Sequence, residues 1–465
     1  PFHLAFPLAQ PRHVELRQAF NNGLKALEDD GSLARILSRH GLAPPAPPRS
    51  GRTRLTIGTV NNREMQVMQR LSRKFEQAHP GIELDWRVLE ENILRRRTLS
   101  DLSISDGQFD VITIGPSEAQ SWRQGWLLPI DNLPPDYDLD DILPTVRSSL
   151  SVNGRLYALP FYAESSMTYY RRDLFQQAGL VMPDRPTVDQ IRRFAQTLHH
   201  PERQQYGICL RGKPGWGENM ALISTLINTF GGRWFTPRWE PEIDTPEWTG
   251  AVSWYVDVLR SYGPPDAVRT GFNENLQLFA DGHCAMWIDA TVAAGSLFNP
   301  KESKVAASLG FAAAPTAVTP KGSHWLWTWA LAIPASTENR EAARLFISWA
   351  TSKDYIRLVA AEEGWVAVPP GTRRSTYDSP GYKAAAPFAG FVLDALTKAD
   401  PRNPTLKPVP YVGIQFVAIQ EYPAIGNLVG QEISEALTGK QNVRQALERA
   451  QKQTRKLMRE SGYLP

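Results

Sequence analysis

Two cysteines in 465 residues, Cys209 and Cys284, are too few for a multi-bridge disulfide scaffold or for a zinc site with four thiolate ligands. That count alone leaves open one bridge in an oxidising compartment or two buried thiols. The eight histidines are scattered, and His199-His200 abuts Pro201 as a solvated helix end does. The sequence has no Gly-x-Ser-x-Gly elbow, no Gly-rich phosphate loop and no His-Glu-x-x-His zinc helix. Neither sign of charge dominates: 51 Lys and Arg against 48 Asp and Glu leave +3, which gives no reason to expect nucleic acid or an anionic membrane as the partner. No apolar run reaches the roughly 18 residues that would span a bilayer. The chain begins at Pro1 without an apolar leader, which predicts a processed or truncated product.

Tryptophan, by contrast, is plentiful. Its 14 residues equal the tyrosines in number, and several stand beside Gly, Asn, Glu or Asp rather than within apolar runs. Indole faces next to hydrogen-bonding groups suit a ligand with CH faces and many hydroxyls. Apolar residues make up 42%, enough for sizeable cores, and the length predicts two or three domains, or two lobes of one fold.

Residues 1–43 read as a separate helical extension, with Leu16, Phe20, Leu24, Leu27, Leu33 and Ile36 near helical period. The proline-rich stretch 44–51 reads as a stiff linker. From Arg52 onward, strands at 55–60, 82–88 and 109–115 alternate with helices, which predicts a parallel sheet covered on both faces. Ligands of such sheets lie beyond the carboxyl ends of the strands, here near Asn62, Glu91, Asn92 and Ser117. Further strands are expected at 156–162, 206–210, 285–288 and 329–333, and helical patterns at 341–351 and 433–458.

Several segments then resemble one family in order and spacing over 52–465. They are Phe75-Glu-Gln-Ala-His-Pro-Gly-Ile82, Phe109-Asp-Val-Ile-Thr-Ile-Gly115, Gly154-Arg-Leu-Tyr-Ala-Leu-Pro160, Tyr169-Tyr-Arg-Arg-Asp-Leu-Phe175, Phe279-Ala-Asp-Gly-His-Cys-Ala-Met-Trp287 and Ala330-Leu-Ala-Ile-Pro-Ala-Ser336. The set resembles the extracellular solute-binding proteins that include the maltose binders. Leu89-Glu-Glu-Asn-Ile-Leu94, Gly207-Ile-Cys-Leu-Arg-Gly-Lys213, Gly215-Trp-Gly-Glu-Asn219, Gly271-Phe-Asn-Glu-Asn275 and Trp287-Ile-Asp-Ala-Thr291 are most similar to binders of linear polyols such as mannitol, sorbitol and arabitol. The resemblance implies an α/β fold of two lobes with the ligand cleft between them. It places lobe one at 52–162 and 325–372, and lobe two at 163–324 and 373–465. It also implies a monomer in the periplasm or at the cell surface that delivers a polyol to an ABC permease, with no metal, no cofactor and no catalysis. An exported chain meets oxidising conditions, which predicts a Cys209–Cys284 disulfide. Residues 19–42 instead resemble the C-terminal tail of amino-acid-type binding proteins, as a remnant of an upstream binding domain would.

Asn, Asp, Glu and Arg each bond one or two hydroxyls, and Trp gives the carbon chain a flat apolar face. In Gly215–Asn219 the glycines permit close approach, and Trp216, Glu218 and Asn219 stand together at a helix start. Glu164 follows the expected crossover between lobes, and Asp289 follows a strand. Arg211, Trp327, Trp365, Tyr411 and Gln415 complete the candidate ligand set; Trp325, Trp327 and Trp329 share one strand face, and Tyr411 and Gln415 open a late helix. Replacing Glu218 or Asp289 by Ala is expected to weaken binding and leave the fold intact. Two other functions stay open: a glycan-directed hydrolase or lyase using a pair drawn from Glu164, Glu218 and Asp289, and a sensory protein that presents its ligand to a receptor.

Overall fold

The computed structural model describes residues 51–122 and 125–465, with scattered positions between 20 and 32. The helical extension expected over 1–43 and the linker at 44–51 fall almost entirely outside the described residues.

The strands are β1 (Thr53–Val60), β2 (Ile82–Leu89), β3 (Val111–Ile114), β4 (Leu159–Glu164), β5 (Ser166–Arg171), β6 (Met286–Ala290), β7 (Leu309–Ala313) and β8 (Trp327–Ala332), with a short hairpin at 151–156. One sheet has the order β2-β1-β3-β8-β4 and a second has β6-β5-β7. The first sheet is mixed, not wholly parallel. β1 is parallel to β2 and β3, but β8 is antiparallel to both β3 and β4. The chain enters β8 from the second sheet, so it meets the first sheet from the opposite end.

Leu55, Ile57 and Val60 on β1, with all of β3, β4 and β8, are buried in the first lobe. Helix α1 (Arg63–Leu71) buries Met65, Val67, Met68 and Leu71 against this core, and α2 (Glu91–Ile104) packs on β1 and β2. In the second lobe α3 (Asn219–Thr229) is buried along its whole length, and α4 (Pro246–Tyr262) packs against it. Helix α5 (Phe272–Ala280) covers β6, while α6 (Tyr422–Leu437) and α7 (Val443–Glu460) pack on each other and on α4.

Three expected elements differ from what forms. The helical run at 433–458 is two helices: Gly439 turns the chain at φ +79°, and Asn442 caps α7 by accepting from the Gln445 N–H at 2.9 Å. Residues 206–210 touch the strand region only through isolated bridges. Tyr206 and Cys209 donate to the carbonyls of His283 and Met286, but Ile208 between them donates to Tyr262 at the end of α4, which breaks the ladder. Tyr411 and Gln415 lie in an irregular segment, and the late helix starts only at Tyr422. Cys209 and Cys284 are joined by a disulfide, with their Cα atoms 5.9 Å apart.

Only Ser165 separates β4 of the first sheet from β5 of the second, and its N–H donates to Thr291 Oγ1 at 3.0 Å. The chain returns from β7 to β8. Helix Ala389–Lys398 touches both lobes: it packs on β4, while Phe388 and Phe391 meet the rings of Phe298 and Phe311. Among the described residues no helix is long and apolar enough to cross a membrane.

Candidate ligand-binding site

A cavity lies between the lobes, where the carboxyl ends of β1 and β2 face the second lobe. Asn62 follows β1, and Glu91 opens α2 just after β2. On β4, Tyr162 and Glu164 stand two residues apart and therefore share a face. Glu164 pairs across the sheet with Trp327, and Tyr162 with Trp329, so two indoles lie beside the carboxyl and the phenol. Gly115 ends β3 because nothing larger fits: an added Cβ would lie 2.1 Å from the Trp327 ring.

The facing wall is built on 215–219. This loop rests on α6 where that helix carries Gly426 and Gly430; a Cβ at Gly426 would come within 2.5 Å of the Trp216 Cβ. The Trp216 N–H donates to Asn427 Oδ1 at 3.0 Å. Asn219 accepts from the Gly215 N–H at 3.1 Å and donates to the Gly430 carbonyl at 3.0 Å. Trp216 is thereby presented edge-on to Trp327, with ring centroids 5.8 Å apart. The Arg95 guanidinium covers it at 3.9 Å and lies 5.3 and 5.2 Å from the rings of Trp327 and Trp329, within cation–π range of all three.

The charges are organised around two arginines. Arg95 binds Glu91 at 2.9 Å and also Glu118. Arg211 grips Asp289 with two nitrogens, at 2.6 and 2.9 Å, and donates to the Gly217 carbonyl at 2.7 Å. Burial opposes the Arg211 charge, but Asp289 with Glu218 and Glu91 outweighs it and holds the guanidinium above its ordinary pKa. Glu218 lies 3.7 Å from Arg211 and 3.5 Å from Lys213; burial still pushes its carboxyl up to about 7, against the pull of Arg211. Glu164 is buried and has no hydrogen-bond or ion-pair partner among the described residues. Burial raises it well above the carboxylate range, with Asp289, Glu64 and Glu91 adding to the rise and Arg211 opposing it.

Of the residues singled out from sequence, Asn62, Glu91, Glu164, Arg211, Trp216, Trp327 and Gln415 line the cavity together. The others do not. Asp289 sits inside β6, buried beneath Arg211, where it also accepts from the Trp287 indole at 3.1 Å; it is neither a helix cap nor a wall residue. Glu218 stands behind Arg211, and Asn219 is spent on holding its loop. Asn92 packs against Gly215, and Ser117 is buried in the short helix Pro116–Ser121. Trp365 packs on Gly381, away from the cleft. The Tyr411 hydroxyl turns into the second lobe to accept from the Trp234 N–H at 3.2 Å.

The sequence reading missed Arg95, Tyr162 and Phe272 as lining residues, and Trp325 and Trp329 line the cavity along with Trp327. The four-residue spacing from Glu91 pointed to Arg95, and the two-residue spacing from Glu164 pointed to Tyr162.

Residues 60–356 match the family described as bacterial extracellular solute-binding protein. The mannitol-binding protein of Pseudomonas aeruginosa is 56% identical over 433 residues, covering 93% of this chain and 99% of the relative. The crystal structure of an ABC transporter solute-binding protein from Agrobacterium vitis S4 with bound D-mannitol superposes with a TM-score of 0.87 at 54% identity, covering 88% of this chain and 99% of that one. A solute-binding protein from Agrobacterium radiobacter K84 in complex with ribitol gives a TM-score of 0.76 at 26% identity, covering 87% and 98%. With two lobes closing on one cleft, the chain belongs to the bacterial extracellular solute-binding protein family.

Proposed function

We propose that this protein is the solute-binding subunit of a bacterial ABC importer and that it captures a linear polyol, D-mannitol foremost, by lobe closure. The observation that carries the proposal is the cleft itself. Indoles meet across it, and buried hydrogen-bonding groups without partners among the described residues line it. A flexible carbon chain lies against indole faces, and its hydroxyls satisfy the buried polar atoms. The relatives named for mannitol and ribitol support the same ligand class.

The lobes that move are the one built on the β2-β1-β3-β8-β4 sheet and the one built on the β6-β5-β7 sheet, hinged at Ser165 and the later crossovers. Three contacts between them hold the closed form: Arg63 with Glu302 at 2.5 Å, Lys213 with Glu90 at 2.6 Å, and the Asn273 amide donating to the Asn61 carbonyl at 3.1 Å. The closed form is the one a membrane permease reads. The protein works as an exported monomer, in the periplasm, without turnover of its ligand. A thermal-shift screen of alditols, monosaccharides and disaccharides tests this, because a ligand that binds only the folded state raises its melting temperature. Mannitol, sorbitol or arabitol should give the largest rise. A rise with a disaccharide and none with any alditol would refute it.

A further inference from the structure

We propose that lobe closure is coupled to a proton: Glu218 of the second lobe takes one up from solvent when Glu90 and Glu91 of the first lobe close against it. This coupling requires the closure around a polyol proposed above, and adds a second bound species to the captured ligand.

The interface between the lobes gathers three carboxyls. Glu90 and Glu91 stand at the start of α2 in the first lobe, and Glu218 stands at the start of α3 in the second. The lobes meet tightly here. An added Cβ on Gly217 would lie 2.1 Å from Glu91 Oε1, and one on Gly215 would lie 3.1 Å from Asn92 Oδ1. Glu218 is 5% exposed and lies over the backbone of Gly271, where an added Cβ would come within 2.7 Å of both its oxygens. Its Oε2 is buried without a hydrogen-bond partner among the described residues.

The two cations beside Glu218 spend their short bonds elsewhere. Arg211 lies 3.7 Å away but grips Asp289 and the Gly217 carbonyl. Lys213 is 3.5 Å from Glu218 and 2.6 Å from Glu90, so in the closed form the first lobe holds it. Two further charged groups face this cluster. Glu274 on α5 accepts from the Gly271 N–H at 2.8 Å, and Arg95 is bound to Glu91 at 2.9 Å. Burial is the main force that lifts the Glu218 carboxyl to about 7; Arg211 and Lys213 pull the other way, and Glu91 and Glu90 add to the lift.

Parting the lobes reverses each of these effects. Glu90 and Glu91 leave with the first lobe, Lys213 is released to Glu218, and water reaches the carboxyl, which then ionises as an ordinary carboxyl does. The closed form therefore holds more protons than the open form between the ordinary carboxylate range and about pH 7. Polyol binding tightens as pH falls through that window and gains nothing above it. Despite partial burial, Lys213 holds Glu90 below its ordinary value, so Glu90 stays ionised throughout.

Calorimetric titration of the intact chain with D-mannitol at about pH 7, in buffers of low and of high ionisation enthalpy, counts the protons exchanged. Uptake of roughly half a proton per mannitol is expected, falling towards zero by about pH 8.5. Mannitol should bind about five- to tenfold tighter at about pH 6 than at about pH 8. Glu218→Gln, shown folded by its melting curve, should abolish both the uptake and the pH dependence. A merely structural role for Glu218 would change the affinity and leave the uptake. Unaltered protein that binds mannitol but exchanges no proton at about pH 7, or binds it within about twofold at the two pH values, would overturn the coupling without any variant. Undiminished uptake in Glu218→Gln would also overturn it, by placing the proton on another group. Failure to bind mannitol at any pH would overturn the polyol reading and the coupling with it.

Discussion

The Asp289 carboxylate accepts from Arg211 and from the Trp287 indole while only 1% exposed, so its removal deprives a buried guanidinium of its hydrogen-bonded counter-ion. Breaking one side of a buried pair costs about 3–5 kcal/mol. Asp289→Ala should therefore lower stability by about that much in denaturant unfolding, reversing the expectation that this position could be replaced with the fold intact; unchanged stability would contradict the pairing. Alternation along a strand made Trp327 legible, and the expected crossover between lobes made Glu164 legible. Sequence spacing does not say which of two neighbouring carboxylates is bonded below the surface, so Asp289 read as a ligand contact. Arg95 stands in an Arg95-Arg96-Arg97 run that looks like a solvated helix face. Only the folded cleft brings its guanidinium over Trp216. Tyr411 looked like a cleft residue until its hydroxyl was seen bonded to the Trp234 backbone.

At the scale of elements, the segment 206–210 shows what anchors an irregular stretch. Two bridges and the Cys209–Cys284 bond tie it to the strand region beside the cleft, directly before Arg211. The bond spans 75 residues. In the chain-entropy account a loop of that length contributes about 4–5 kcal/mol. Cys209→Ser with Cys284→Ser should lower the unfolding free energy from urea titration by an amount near that figure; equal unfolding free energies with and without the bond would show that the loop is constrained by other means. The early strands and helices were readable from their apolar period because their partners are near in sequence. β8 was not readable as antiparallel, since its direction depends on where the chain returns from the second lobe. The break at Gly439 was missed because the apolar spacing on either side of it stays close to helical period.

For the whole molecule, the ordered set of motifs carried the family and the two-lobed fold, while the closure contacts came only with the structure. Arg63–Glu302, Lys213–Glu90 and Asn273–Asn61 join residues far apart in sequence. The ion pairs among them are partly exposed and individually weak. On this account the ligand, filling the space between Trp216, Trp327 and Glu164, supplies most of what holds the lobes together. The most direct measurement is a crystal structure of the protein grown with saturating D-mannitol. The account predicts one mannitol in the cleft, its carbon chain against the Trp216 and Trp327 rings and a hydroxyl within hydrogen-bond distance of the Glu164 carboxyl. A closed cleft empty of mannitol, or mannitol bound on a surface of one lobe alone, would contradict it.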